Sequence, residues 1–98
     1  DEELNHFYLG QAMVMCGQRD QALNLMRSQM RAHPDWGLIY FVTGEILFVK
    51  GHYQDAIAAF ARAAELRPRD PDPHIRLARC FSQLRRRAIF TLGCAPTP

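Results

Sequence analysis

The stretch of sequence that decides the fold is YFVTGEILFVKGHYQDAIAAFARAAELRP, residues 40–68. It places small, aromatic and turn-forming residues at fixed positions, namely Tyr40, Gly44, Leu47, Gly51, Tyr53, Ala56, Phe60, Ala63, Leu66 and Pro68. Part of this pattern occurs 34 residues earlier, at Gly10, Gly17, Ala22, Met26 and Pro34. A third copy starts with His74, Leu77, Ala78 and Phe81, and the match ends after Leu84. Repetition with this period is typical of a stacked array of helices.

The pattern closely resembles the tetratricopeptide repeat, a helix–turn–helix unit of 34 residues with a closing proline. The resemblance implies an all-α fold, in which about two and a half repeats of antiparallel helices stack in a right-handed α-solenoid. It divides the chain into a repeat array over residues 1–84 and a divergent basic and apolar tail over residues 85–98. Within the array, the units lie near residues 3–36 and 37–70, followed by a partial unit at 71–84.

Start and stop signals along the chain predict five antiparallel helices, near residues 2–16, 19–32, 36–50, 53–66 and 71–84. Asp35 and Asp70 are expected to cap the third and fifth helices, because aspartate is favoured at the N-cap. Gly17 and Gly51 are expected to end the first helix of each unit in a left-handed conformation. Gly44 should let two helix backbones approach closely, so that leucine at this position would be severely destabilising.

In the family that the chain resembles, the first helices of successive units line a concave groove. Carried over to this sequence, the groove positions are Leu4, Phe7, Tyr8, Gln11, Val14 and Met15 in the first unit, Leu38, Phe41, Val42, Glu45, Phe48 and Val49 in the second, and Asp72, Ile75, Arg76, Arg79, Ser82 and Gln83 in the third. Helical spacing independently places each set on one face of its helix. The expected groove is apolar and aromatic over two units and basic at the third.

This composition predicts a non-catalytic protein–protein interaction module of the adaptor, scaffold or co-chaperone type. Its partner would be a protein or peptide that presents hydrophobic anchors and an acidic residue near Arg76 and Arg79. Grooves that clamp the acidic tails of chaperones carry lysine and asparagine ladders, whereas this groove has Phe7, Gln11 and Val42. The alternative is a structural segment of a larger assembly, which uses its apolar faces for homo-oligomerisation or for packing on further repeats.

Catalytic, metal and cofactor sites are not expected. The three cysteines, Cys16, Cys80 and Cys94, form no closely spaced pair, and the four histidines are scattered, whereas a zinc site needs clustered ligands. Cys80 is expected to be a small core residue. No glycine-rich phosphate loop is present. The odd number of cysteines fits a reducing compartment, so we expect a cytoplasmic protein.

Nucleic acid and membranes are not expected as partners either. The net charge is only +2, and although five arginines follow Pro71, no aromatic residues alternate with them. The most apolar stretch, residues 36–49, is interrupted by polar residues and is shorter than the ~20 residues that span a bilayer.

The third unit has no second helix, so one side of Leu77, Phe81 and Leu84 would be unshielded. Arrays normally end in a polar capping helix. Three outcomes stay open: a tail containing Ile89, Phe90 and Leu92 folds back over this side, another chain covers it, or the sequence stops within a longer array. The chain begins at Asp1 without a methionine, so we expect an excised segment or a processed product.

Overall fold

Five blocks of helix-forming sequence become five α-helices in the computed structural model, which describes residues 2–91. The helices are α1 (Glu2–Met15), α2 (Arg19–Ala32), α3 (Gly37–Val49), α4 (Tyr53–Leu66) and α5 (Asp72–Thr91). The described residues contain no strand. Each helix packs on the next along the chain, and α1 also contacts α3, which makes an elongated stack of 52 × 30 × 19 Å. The predicted all-α fold of stacked helix pairs is confirmed.

The two glycine turns have the same geometry, as the repeat predicts. Gly17 has φ +81° and Gly51 has φ +84°, a conformation that glycine adopts without steric cost. In each turn, the glycine N–H and the next N–H donate back to carbonyl oxygens at the end of the helix, with distances between 2.9 and 3.0 Å. These bonds satisfy the last carbonyl groups of α1 and α3 and reverse the chain direction.

The N-termini of α3 and α5 differ in how they are capped. At α5, the carboxylate of Asp70 accepts a hydrogen bond of 3.0 Å from the Asp72 N–H, in agreement with its predicted role. At α3, the predicted cap Asp35 is wrong, because the cap residue is Trp36 and it makes no side-chain bond. Instead, Oε2 of Glu3 accepts a hydrogen bond of 2.9 Å from the Leu38 N–H. A carboxylate from α1 therefore stabilises the positive end of the α3 dipole.

The core lies between the first helices of the units, which are α1, α3 and α5, and the second helices, which are α2 and α4. It is centred on α3. Its largest fully buried side chains include Phe60 and Met26 from the second helices, and Cys80, which is buried as predicted. Gly44 does make room for a neighbour, but the neighbour is a side chain and not the α4 backbone. A Cβ added at Gly44 would lie 2.7 Å from Cε1 of the Phe60 ring.

Helix α5 is longer than predicted, because it continues past residue 84 to Thr91. The reason is local: residues 85–89 are mostly good helix formers, and no glycine or proline interrupts them. Arg87 also holds the extension against the turn between α3 and α4. Its Nη1 donates a hydrogen bond of 3.3 Å to the Gly51 carbonyl, and its guanidinium lies 4.9 Å from the centroid of the Tyr53 ring.

The extension changes the interpretation of the predicted tail. Ile89 and Phe90 belong to α5, so they do not fold back over the third unit, and Leu92 lies outside the described residues. Phe81 remains 57% exposed.

Burial of the Cys80 side chain raises the pKa of its thiol, as expected for a core cysteine.

Candidate peptide-binding groove

The first helices of the three units, α1, α3 and α5, border a continuous open groove. Between α1 and α3 lies a cleft of ≈ 290 Å³, lined by Gln11, Val14, Met15, Val42, Glu45 and Val49, which we call the α1–α3 cleft. Between α3 and α5 lies a cleft of ≈ 590 Å³, lined by Phe48, Ile75, Ala78, Arg79, Ser82, Gln83 and Arg86, which we call the α3–α5 cleft. A smaller cavity of ≈ 70 Å³ shares Glu45 and Val49 with the first cleft and Phe48 and Arg79 with the second.

Many of the positions expected to face the groove line these three cavities. They are Gln11, Val14, Met15, Val42, Glu45, Phe48, Val49, Ile75, Arg76, Arg79, Ser82 and Gln83. Met15 is 88% exposed, whereas Val42 is only 1% exposed and forms the floor of the α1–α3 cleft. The walls are therefore accessible to a ligand, while the floor belongs to the protein core.

The aromatic residues expected at one end of the groove differ in burial. Phe41 is 7% exposed, and its ring packs edge-on against Phe60 at a centroid distance of 5.6 Å, so it is a core residue. Phe7 is half-buried, and its ring lies 6.3 Å from that of Phe41. Leu4 and Tyr8 are exposed on α1, and Leu38 is half-buried, but none of the three lines the cavities described above. Phe41 lies in the core and not in the groove, because Phe60 of α4 packs against its ring.

At the centre of the groove lies an ion pair between α3 and α5. Nη2 of Arg76 is 3.3 Å from Oε2 of Glu45, and the Arg76 guanidinium also lies 5.7 Å from the Phe41 ring centroid. The other carboxylate oxygen of Glu45, Oε1, is buried and accepts no hydrogen bond among the described residues. Burial raises the pKa of Glu45, although Arg76 and the Gln11 side chain oppose the rise, and the charge of Asp72 adds to it.

Residues 47–88 match the model of a tetratricopeptide repeat family. This segment belongs to that family. The match begins within α3, includes all of α4 and ends within α5, which confirms the repeat class predicted from the 34-residue period. Tetratricopeptide repeats generally mediate protein–protein interactions and are generally non-catalytic. No curated protein matches the chain.

The repeat segment has a basic end, but its arginines have different surroundings. Arg76 and Arg87 are occupied by Glu45 and by the turn at Gly51, respectively. Arg79 and Arg86 line the α3–α5 cleft, and neither forms an ion pair within the described residues. Sequence reasoning missed Arg86 because the helix was expected to end near residue 84. Its spacing of seven residues from Arg79, two helical turns, is the signal that could have found it.

Other kinds of site are not indicated in the part of the chain that the structure describes. Within residues 2–91, no group of three histidine, cysteine or acidic side chains could hold a metal ion. Over the same residues, no helix combines the length and the apolar character needed to cross a membrane.

Proposed function

We propose that this chain binds a partner polypeptide in the groove formed by the α1–α3 and α3–α5 clefts. The observation that carries the proposal is the continuity of the groove, which joins an apolar cleft to a cleft that contains two arginines. A peptide with hydrophobic side chains could cover the α1–α3 cleft and extend across the centre toward α5. Apolar surface that is exposed at Met15 and Val49 would then be removed from water, which favours association.

The basic end supports the choice of an acidic residue in the partner. Arg79 and Arg86 are exposed and have no carboxylate partner among the described residues, so a carboxylate of the ligand can pair with them. Arg76 is less available, because Glu45 already occupies it. Exposed charges of this kind steer association and set its salt dependence more than they set affinity.

The hydrophobic anchors of the partner are expected to contact Val49, Met15 and Phe48. Phe48 lies where the clefts meet, and its half-buried ring is held by an edge contact with Tyr53 at a centroid distance of 5.1 Å. Phe41 is excluded as an anchor because it is buried. Replacing Phe41 by alanine would therefore weaken binding mainly through loss of folding.

Peptides selected from a random library on the immobilised protein test this proposal. Selected peptides should be rich in hydrophobic residues and contain an acidic residue. Val49→Asp should weaken their binding by about tenfold or more, since it puts a charge in the apolar cleft. Arg79→Glu should slow association and reduce its salt dependence. Leu9→Asp is the matched control, because Leu9 is exposed on α1 but does not line the cavities of the groove.

Peptides that bind the Val49→Asp and Arg79→Glu variants as tightly as the parent protein would refute the groove proposal, provided that circular dichroism shows both variants folded. The second candidate function is self-association through apolar surface, which the exposed Phe81 and Ile75 on α5 favour. Light scattering over a concentration series distinguishes the two. A monomer that binds the selected peptides supports the module, and a concentration-dependent dimer that excludes them supports self-association.

An adaptor or scaffold role in the cytoplasm is part of the same proposal. Cys16 and Cys80 are both free thiols, which fits a reducing compartment. A co-chaperone role has less support, because the groove walls carry valine and methionine where clamps for chaperone tails carry lysine and asparagine.

A further inference from the structure

Helix α5 presents to solvent the face that, in α1 and α3, is covered by a second helix. In the 34-residue register, His74, Ala78 and Phe81 correspond to Tyr40, Gly44 and Leu47 of α3. In α3, Leu47 is only 6% exposed, and the Tyr40 ring and Gly44 lie against Arg62 and Phe60 of α4. In α5, His74, Ala78 and Phe81 are all exposed. We call these three residues the open α5 face.

The described residues do not supply a helix for this face. Because α5 continues without a turn to Thr91, the chain does not reverse after residue 84 as it does at Gly17 and Gly51. Within residues 2–91, α4 packs on a different side of α5, where Pro73 and Cys80 are fully buried. The open α5 face thus corresponds to the surface that α2 covers on α1 and that α4 covers on α3.

We propose that the open α5 face docks an amphipathic helix of a partner polypeptide, in the position that α2 and α4 occupy in their units. The two second helices share a short pattern, in which a fully buried alanine precedes a large apolar residue by four positions. The pairs are Ala22 with Met26 and Ala56 with Phe60. In each pair, the large residue lies over the glycine of the first helix, Gly10 or Gly44.

The residue at this position of α5 decides which large side chain fits. Position 78 is alanine, so a real Cβ stands where the two complete units have none. A Cβ at Gly10 would lie 3.1 Å from Sδ of Met26, the flexible end of a side chain, which can shift by a few tenths of an ångström. A Cβ at Gly44 would lie 2.7 Å from a rigid ring atom of Phe60. The docked helix must therefore carry methionine, or another flexible side chain, and not phenylalanine.

Charge sets the direction of the docked helix. Arg85 is exposed one helical turn after Phe81, and in the repeat register it corresponds to Gly51, just before α4 begins. An antiparallel helix would thus begin near Arg85. Both α2 and α4 carry an aspartate in their first turn, Asp20 and Asp55. An acidic first turn of the docked helix would pair with Arg85.

A folded second copy of the chain cannot supply this helix. In α2 and α4, the alanine and the large residue of the pattern are at most 1% exposed. A second copy would have to open its own core to present them. The docked helix is assigned to a partner polypeptide. Of the open α5 face, Ala78 also lines the α3–α5 cleft, whereas His74 and Phe81 do not line the cavities of the groove.

The test uses the chain's own α2 as a probe, a synthetic peptide of residues 19–32 that contains Ala22 and Met26. Binding to the full isotope-labelled chain is followed by NMR, which detects weak association and locates it. A single 14-residue helix is marginally stable alone, so binding near the upper micromolar range is expected. The amide signals of Ala78, Phe81 and Arg85 should shift. A peptide with Met26→Phe should bind at least about fivefold more weakly.

Two variants of the protein sharpen the result. Phe81→Asp should weaken binding of the Met26 peptide by about tenfold, and Ala78→Gly should reverse the preference, so that the phenylalanine peptide binds at least equally well. Ile75→Asp is the matched control, because Ile75 is exposed on α5 but lines the groove. Circular dichroism checks that each variant is folded.

Four outcomes would contradict the proposal. The first is that neither peptide binds at about 1 mM. The second is that only amide signals of α1 and α3 shift, which would indicate that the peptide replaces the chain's own α2. The third is self-association of the protein that Phe81→Asp abolishes, which would assign the open α5 face to a second copy. The peptide preference also has to reverse in Ala78→Gly, since an unchanged preference contradicts the fit argued from position 78.

Discussion

Replacing Gly44 by alanine would place a methyl group 2.7 Å from Cε1, 2.8 Å from Cδ1 and 2.9 Å from Cζ of the Phe60 ring. Phe60 is fully buried and its ring contacts that of Phe41, so it has little freedom to move. The equivalent change in the first unit, Gly10→Ala, meets the flexible end of Met26 at 3.1 and 3.2 Å and Cγ1 of Val42 at 3.5 Å, which is an ordinary contact distance. The two substitutions are thus chemically identical and differ in the rigidity of the neighbour.

This comparison isolates the cost of the collision. Both substitutions gain ~1 kcal/mol, because alanine is a better helix former than glycine. Overpacking against a rigid neighbour costs ~1–3 kcal/mol, and only Gly44→Ala incurs it in full. We expect Gly10→Ala to be neutral or slightly stabilising and Gly44→Ala to be ~1–3 kcal/mol less stable than Gly10→Ala. For a chain of this size, each kcal/mol corresponds to about 4–8 °C in the melting temperature.

The assay is urea unfolding followed by far-ultraviolet circular dichroism, with thermal melts on the same samples. Adding Phe60→Leu to Gly44→Ala should recover part of the loss, because the shorter side chain leaves room for the methyl group, and the double-mutant cycle should show favourable coupling. Equal stability of the Gly44→Ala and Gly10→Ala proteins would show that the Phe60 ring does not limit the size of residue 44.

Three further predictions concern electrostatics, capping and the end of α5. Burial raises the pKa of Glu45, so the folded state binds the proton of this carboxyl group more tightly than the unfolded state does. The free energy of unfolding should therefore fall as pH rises from the ordinary carboxyl range through the raised pKa. In urea titrations at several pH values, Glu45→Gln should lack this fall and should be more stable than the parent protein at neutral pH. Glu3→Ala removes the cap on the Leu38 N–H and should cost ~0.5–2 kcal/mol in the same unfolding assay, whereas Glu2→Ala, at an exposed neighbour, should cost less. Deleting residues 88–98 should lower the melting temperature or raise self-association in light scattering, and a deletion variant that stays an equally stable monomer would contradict this.

Local sequence predicted the elements well where local forces decide them. The turns at Gly17 and Gly51 require a left-handed backbone, which glycine adopts most readily, so these two residues locate the ends of α1 and α3. The length of α5 was also encoded locally, in the uninterrupted helix formers of residues 85–89. It was mispredicted because the expected period of the repeat was given more weight than helix propensity.

The candidate groove was less predictable, because helical spacing assigns a side chain to a face without saying what covers that face. Phe41 and Val42 were assigned to the groove by position, yet both are buried, Phe41 because the ring of Phe60 packs against it. Arg76 and Arg79 were expected to act together, but Glu45 pairs with Arg76 across the gap between α3 and α5. Such pairings depend on the distance between helices, which the spacing of residues within one helix does not contain.

By itself, the sequence determined the repeat period, the five helices, the glycine turns and the burial of Cys80, because these follow from backbone preferences and from a pattern that recurs every 34 residues. Only the tertiary structure decided that Glu3 caps α3, that Phe60 and not a helix backbone requires Gly44, and that Arg86 lines the α3–α5 cleft. The physical reason is that these three outcomes depend on contacts between residues of different helices. Burial, hydrogen bonding and charge pairing are set by which helices touch, and at what distance.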